Sequence, residues 1–222
     1  MQFFSSNFKL GILGGGQLGK MLLYEAKRYD LHTKVMDSNK HAPCNKIADD
    51  FIIGDITDYD DVINFGNSVD LITVEIENVN TDALEFLEKS GKKVYPSPKN
   101  LRIIQNKSDQ KNFYSKNNLP TSRFKNYSNI QDLKRNFFND NFEFPFVWKS
   151  SRFGYDGKGV KIIKNIEDLD FSYDHQCLIE EKVSIKKELS VIVSRNIDGK
   201  IKCFPVVEME FNEKSNLVEY VM

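Results

Sequence analysis

Apolar and polar positions trade places along the first hundred residues in a rhythm that spells strand and helix by turns. Residues 9–13 form a short apolar run that breaks at Gly14-Gly15-Gly16-Gln17-Leu18-Gly19, after which Met21, Leu22, Leu23, Ala26 and Tyr29 recur at helical spacing. Further apolar strands are predicted at 51–54, 69–74 and 93–95, with helical stretches at 59–65 and 81–90 between them. Alternation of this kind predicts an α/β, Rossmann-like parallel sheet with helices on both faces, and a ligand at the carboxyl ends of its strands. Pro96 and Pro98 close that region, giving a first domain over 1–98.

The rhythm then changes. Residues 99–122 read as a helical connector, in which Lys107 and Lys111 have the look of ordinary solvated helix charges. A strand at 124–127, a helix over 129–138, apolar runs at 146–148 and 160–163 and a strand at 176–183 make up a third region, 123–183. Strands at 188–193 and 200–207 follow, hairpin-linked and antiparallel, so the second half is α+β. Residues 217–222 read as a strand that stops without a turn, a cap or a polar tail, and the expectation is that 184–222 begin a larger subdomain whose remainder is missing.

Candidate chemistry clusters in two glycine-rich places. The connection between 146–148 and 160–163 holds Gly154, Gly157 and Gly159, with Lys149 at the strand end and Lys158 in the loop. Glycines let backbone amides turn toward an anion, and two lysines suit a polyphosphate, although a plain hairpin with a glycine-rich turn has the same pattern. Upstream, Gly14, Gly16 and Gly19 satisfy GxGxxG and Asp37 closes the next strand, where a dinucleotide fold places its ribose-binding acid. A nicotinamide-dependent oxidoreductase is therefore an alternative, as is a simple tight turn. Glu75, Glu77 and Asn78 reach the same sheet edge, with Glu75 and Glu77 on one side if the strand runs that far.

Charge and composition narrow the classes. With 31 basic against 32 acidic residues the formal net charge is -1, so nothing argues for a nucleic-acid or acidic-membrane partner. The start lacks a signal-peptide pattern and no apolar run reaches the length of a membrane span, which leads us to expect a cytoplasmic protein. Cys44, Cys177 and Cys203 lie far apart and form no zinc or disulfide pattern.

Taken together, GGGQLG, Glu75-Ile76-Glu77-Asn78, the helix lysine, Lys149, GYDGKG, and Glu180-Glu181-Lys182-Val183 followed by Glu188-Leu189-Ser190 resemble an ATP-grasp ligase. More narrowly, the order resembles the 5-(carboxyamino)imidazole ribonucleotide synthase family of purine biosynthesis, over essentially 9–222. The resemblance implies a pre-ATP-grasp domain followed by an incomplete ATP-grasp domain. It implies ATP-dependent carboxylation of aminoimidazole ribonucleotide with bicarbonate through carboxyphosphate. Lys107 and Lys149 would be the basic phosphate ligands. Gly154, Tyr155, Asp156, Gly157, Lys158, Gly159 and Val160 would form the phosphate-covering loop, with Tyr155, Asp156 and Lys158 also catalytic. Glu180, Glu181, Lys182 and Val183 would be the adenine-reading hinge, and Glu188 the ribose acceptor. Gly16, Gln17, Leu18 and Glu75 would border the ribonucleotide. Magnesium is implied, with its ligands beyond Met222, as is a homodimer. The chain departs from the family pattern at Arg152 and Phe153 in the loop, and at Phe211 and Asn212, where many members carry a histidine. A chain so incomplete is expected to turn over little alone. A non-catalytic nucleotide-binding module descended from such a ligase stands as a further alternative.

Overall fold

A computed structural model describes residues 7–152, 159–169, 171–212 and 218–222. The chain divides into two compact units, Met1–Gln110 and Lys111–Met222.

In the first unit five strands, β1 (Lys9–Leu13), β2 (His32–Asp37), β3 (Asp50–Ile53), β4 (Leu71–Val74) and β5 (Lys93–Val94), pair in the order β3-β2-β1-β4-β5. Every pairing is parallel. Side chains of successive strand residues point to opposite faces, and each face has its own core. Leu13, Met36 and Ile72 pack with Val62, Phe65, Leu84 and Leu87, from helices α2 (Tyr59–Asn67) and α3 (Thr81–Lys89). Ile12 and Val35 pack instead with Leu23 and Ala26 of α1 (Gln17–Arg28), and with Cys44 from a 3-10 turn at Pro43–Lys46. Burial on both faces is what makes these strands read as apolar runs. Asp58 and Asn80 cap α2 and α3 by accepting from Asp61 N–H and Ala83 N–H. Ser97 caps α4 (Pro98–Gln105), whose first residue is a proline.

The strand order reverses between β1 and β4. β4 ends at Val74: Glu75 N–H still donates to Leu13 O at 2.8 Å, but the chain then bends. The alternation expected to put Glu75 and Glu77 on one side therefore does not extend to them.

The boundary between the units falls within α5 (Lys107–Lys116). In the second unit β6 (Phe124–Tyr127), β7 (Phe146–Ser150), β8 (Val160–Ile163) and β9 (Cys177–Glu181) form an antiparallel sheet in the order β6-β9-β7-β8. One face is apolar: Tyr127, Phe146, Trp148, Ile163, Cys177 and Ile179 pack on Ile130 and Leu133 of α6 (Ile130–Asn136). The other face carries Phe124, Val147, Lys149, Leu178 and Glu180, because residues directly opposite across an antiparallel ladder share a side.

Beyond β9 come β10 (Glu188–Ser190), β11 (Val193–Arg195), β12 (Ile201–Cys203), β13 (Val207–Phe211) and β14 (Val218–Val221). They form one sheet in the order β10-β13-β14 and a separate β11-β12 ribbon, antiparallel throughout. The continuous strands expected at 188–193 and 200–207 are each broken. Pro205, which has no N–H to donate, sits at the break on one side, and the last ladder bond before it is Phe204 N–H to Ile192 O at 2.9 Å.

Candidate active site

The carboxyl ends of β1 and β4, where strand order reverses, are where a doubly wound sheet opens a crevice. The turn after β1 begins with Gly14 at φ +100°, a conformation that glycine adopts without strain, and its N–H donates to Met36 O at 2.9 Å. The glycines make room for one acid. A Cβ on Gly16 would lie 2.6 Å from Glu75 Oε1, one on Gly14 2.9 Å from Oε2, and one on Gly19 3.2 Å from Glu75 Cγ. Gly16 precedes α1, and Gln17 and Leu18 are exposed in its first turn, so Gly16 and Glu75 are in contact while Gln17 and Leu18 face outward at the same end. Burial, then the charges of Glu75 and Asp37, push the Cys44 thiol beneath this turn up to about 11.

Asp37 belongs to the scaffold. Its Oδ2 accepts from Gly15 N–H at 2.7 Å and its Oδ1 from Asn39 N–H at 2.8 Å, which ties the end of β2 to the glycine turn. The oxidoreductase alternative gave this carboxylate a ribose diol. Both of its oxygens are already engaged by backbone.

The second unit gathers charge where the first gathers glycines. Lys149 of β7 and Glu180 of β9 are diagonal neighbours on the sheet face away from α6, since Glu180 lies opposite Val147 and Lys149 opposite Leu178. Lys149 Nζ stands 3.0 Å from Glu180 Oε1, and Lys111 Nζ from α5 stands 3.1 Å from Oε2. Ser122 Oγ also donates to Oε2 at 2.8 Å. Lys111 further donates to Thr121 Oγ1 at 2.6 Å and Ser122 Oγ at 2.9 Å, and lies 5.7 Å from the centroid of the Phe124 ring. Burial pushes the Glu180 carboxyl up, but Lys149, Ser122 and Lys111 outweigh it and hold the group below the usual carboxylate range. A buried carboxylate is thus kept ionised between two ammonium groups.

Lys111 is a correction. Read from the sequence as a solvated helix charge, it is 9% exposed and among the few buried charged residues. Neither its partners Thr121 and Ser122 nor Lys111 itself was singled out as a site residue; the β6–β9 pairing brings Ser122 to Glu180 across 58 positions, a long-range contact that no local pattern announces.

The remaining expected residues are more scattered. Gly159, at φ +70°, accepts from Ser150 N–H at 2.8 Å through its carbonyl, and Val160 lies opposite Lys149 in the β7–β8 ladder. Glu181, Lys182 and Val183 are exposed at the end of β9, and Glu188 is exposed in β10. Lys107 belongs to the first unit. Gly154, Tyr155, Asp156, Gly157 and Lys158 lie outside the described residues. Among the described residues no three acidic, histidine or cysteine side chains converge as a metal site, and no helix is long and apolar enough to cross a membrane.

Both halves of the chain match known proteins. Residues 8–105 match the family model of the ribonucleotide synthetase preATP-grasp domain, and residues 112–222 match that of the ATP-grasp domain. The chain belongs to the ATP-grasp family. Among curated ATP-grasp relatives, the N5-carboxyaminoimidazole ribonucleotide synthase of Bacillus subtilis is 34% identical over 204 residues, covering 90% of this chain and 53% of that protein. The phosphoribosylaminoimidazole carboxylase of Candida glabrata is 34% identical over 209 residues, covering 90% of this chain and 36% of that one. Of solved structures, the N5-carboxyaminoimidazole ribonucleotide synthetase of Thermotoga maritima superposes with a TM-score of 0.78 at 38% identity, over 91% of this chain and 54% of that one. An Aspergillus clavatus N5-carboxyaminoimidazole synthase in complex with ADP and 5-aminoimidazole ribonucleotide gives 0.83 at 28% identity, over 98% of this chain and 57% of that one. This ATP-grasp chain thus spans between about a third and just over half the length of the relatives it matches.

Proposed function

We propose that the chain provides the ribonucleotide-binding and nucleotide-binding elements of an enzyme that carboxylates 5-aminoimidazole ribonucleotide, using ATP and bicarbonate. The observation that carries the reading is the Lys149–Glu180–Lys111 cluster, a fixed positive site on the sheet face away from α6, in a chain whose matched relatives include one solved with ADP and the aminoimidazole ribonucleotide.

In this reading a bicarbonate oxygen attacks the γ-phosphorus of ATP, ADP leaves, and carboxyphosphate forms. The substrate's exocyclic amine then attacks either the carboxyl carbon of that species, with phosphate departing, or the carbon dioxide that it releases together with phosphate, and the nitrogen gives up a proton. The protein's contribution is to orient the reactants, exclude water and stabilise charge. Lys149 places an ammonium against the transferring phosphates. Of the hinge Glu180, Glu181, Lys182 and Val183, the last three read the adenine edge at the end of β9, while Glu180, whose carboxylate is engaged by Lys149, Lys111 and Ser122, takes part through its backbone, and Glu188 accepts from the ribose hydroxyls. In this reading Lys107 is a further basic phosphate ligand, 154–160 cover the phosphates, and Tyr155, Asp156 and Lys158 act near bicarbonate. At the other unit, Gly16, Gln17, Leu18 and Glu75 border the ribonucleotide. Glu75, an acceptor, suits a hydroxyl or amine hydrogen, while the α1 N-terminus suits the phosphate. Magnesium would arrive with the nucleotide, and the described residues offer no acidic cluster for it. A homodimer and a cytoplasmic setting belong to the same reading.

The test is phosphate release with magnesium-ATP, bicarbonate and aminoimidazole ribonucleotide, from this chain and from a form joined to the C-terminal part of the Thermotoga maritima relative. We expect release that needs all three substrates in the joined form and little or none from the 222 residues alone. Release that ignores the ribonucleotide would sink the substrate assignment. A chain that binds ATP yet never turns over in either form would point to a non-catalytic nucleotide-binding module.

A further inference from the structure

Lys111 has a place in the charge cluster that differs from that of Lys149. A lysine ammonium has three hydrogens and no acceptor. Those of Lys111 are matched by three acceptors, Thr121 Oγ1 at 2.6 Å, Ser122 Oγ at 2.9 Å and Glu180 Oε2 at 3.1 Å, and its side chain is only 11% exposed. Nothing is left over for a ligand. Among the described residues Lys149 has one such acceptor, Glu180 Oε1 at 3.0 Å, and its side chain is 27% exposed, which leaves it hydrogens to offer solvent or a bound anion.

The charges add up unevenly as a result. Two ammonium groups and one carboxylate leave a net positive charge of about one. Because Lys111 is saturated and buried, that surplus is presented at Lys149. Glu180 alone beside Lys149 would cancel it, and a phosphate would then meet a neutral pair in which the near oxygen repels it. Lys111 counters the carboxylate from the far side, through Oε2, and Ser122 braces the same oxygen.

We infer that Lys111 is a positioning residue for nucleotide phosphates: it neutralises Glu180 from within the fold, so that Lys149 keeps both its place and its full attraction for an anion. The inference rests on the nucleotide-binding reading above and deepens it. It makes Lys111 matter for the charged part of the nucleotide and not for the base.

The experiment compares ADP with adenosine, by titration calorimetry on the full chain, for the wild type, Lys111→Met, Lys111→Gln and Lys111→Arg. Removing a unit charge several ångströms behind Lys149, in a partly buried site, is expected to weaken ADP on the order of tenfold. Adenosine affinity should change less than about threefold, because no charged part of that ligand is at stake. Arg should restore most of the ADP preference, since it keeps the charge and the donors. The gap between wild type and Lys111→Met should also narrow as salt is raised. Should Lys111→Met fail to fold, Lys111→Gln carries the same comparison, as it keeps a donor toward Glu180 without the charge. A role confined to stability predicts another pattern, in which ADP and adenosine weaken together or neither changes, and that result overturns the inference. If the wild type itself binds ADP no more tightly than adenosine, the nucleotide-phosphate reading of the site fails first, and the outcomes remain separable.

Discussion

Glu75 follows the last residue of β4 and Glu180 is the penultimate residue of β9, so each unit carries a glutamate at the end of an interior strand. Their surroundings have little in common. Glu75 lies against Gly14, Gly16 and Gly19, where any side chain would displace it, and the acidic neighbour in this corner is Asp37. Glu180 is surrounded by two ammonium groups and a hydroxyl. The first site is made by leaving atoms out, and the second by balancing charge. The difference teaches what each carboxylate is free to do. Glu180 has committed its charge to the protein's own lysines, and in the proposed function what it offers a ligand is the lysine it holds. Glu75 sits in a cradle of small residues at a sheet crevice, where the proposed function gives it a donor from the ribonucleotide.

The largest effect should appear at the thiol beneath the glycine turn. With its pKa raised to about 11, first by burial and then by Glu75 and Asp37, Cys44 carries at pH 8 roughly one thiolate per thousand molecules. That is a few hundredfold less than a thiol of ordinary pKa. Cys177, also pushed up to about 11 chiefly by burial, should be equally slow, and the exposed Cys203 should label first. Mass spectrometry after a short maleimide pulse checks this. Cys44 labelling at the pace of Cys203 would mean that the turn opens and that Glu75 is not held as described.

On the charge-balanced side, Lys149→Met should weaken ADP by about thirtyfold, or about 2 kcal/mol, the range of a charge-assisted hydrogen bond to phosphate. Lys149 lies in the second unit, so the glycine turn and the slow Cys44 labelling should be unchanged. An unaltered ADP affinity would move the phosphate site away from β7. Conversely, Gly16→Ala tests the site made of omissions. Its Cβ would come within 2.6 Å of Glu75 Oε1, the far end of a flexible side chain that must swing aside, so a cost of at most about 1 kcal/mol is expected in urea unfolding followed by circular dichroism. Glu75→Ala should relieve most of it in the double variant, and a coupling near zero would show that the clash is absorbed elsewhere.

How much of this was legible beforehand differs between the same two places. The strand, glycine turn and helix at the start, and the parallel sheet that follows, could be read from local pattern, because a doubly buried parallel strand is apolar throughout and its turn is written in adjacent glycines. Lys149 and Glu180 stood out as ends of apolar runs. Lys111 did not, since a lysine in a polar helix has the same local signature whether it faces water or a buried acid. Only the pairing of β6 with β9 and β7 with β9 decides which it is. The breaks in the strands after Glu188 were missed for a similar reason: Pro205 was visible, but its effect depended on which strand needed its absent N–H.

A last test asks whether the Glu180 balance is private to the second unit. Glu180 is ionised at a lower pH in the folded chain than an unfolded glutamate, whose pKa is about 4.3. A carboxyl with a depressed folded pKa lends stability above its unfolded value, and this is lost as pH falls through the folded one. Glu180→Gln should therefore be less stable than wild type at neutral pH, by about 1 kcal/mol or more. The gap should begin to narrow as pH drops below about 4 and close only once pH has passed below the folded value, where the protonated acid resembles the amide. Trp148, the one tryptophan of the chain and a member of the second unit's core, reports that unit alone by fluorescence. In the first unit burial pushes Asp49 up, but Lys27 and Thr33 overcome it and hold the group at about 2. Its own acid-sensitive contribution, lost between about pH 4 and 2, should persist unchanged in Glu180→Gln when unfolding is followed by circular dichroism. A gap in the Trp148 signal that stays constant from neutral pH to below 4 would show that Glu180 acts by shape rather than by charge, and with that the contrast between the two glutamates would fall.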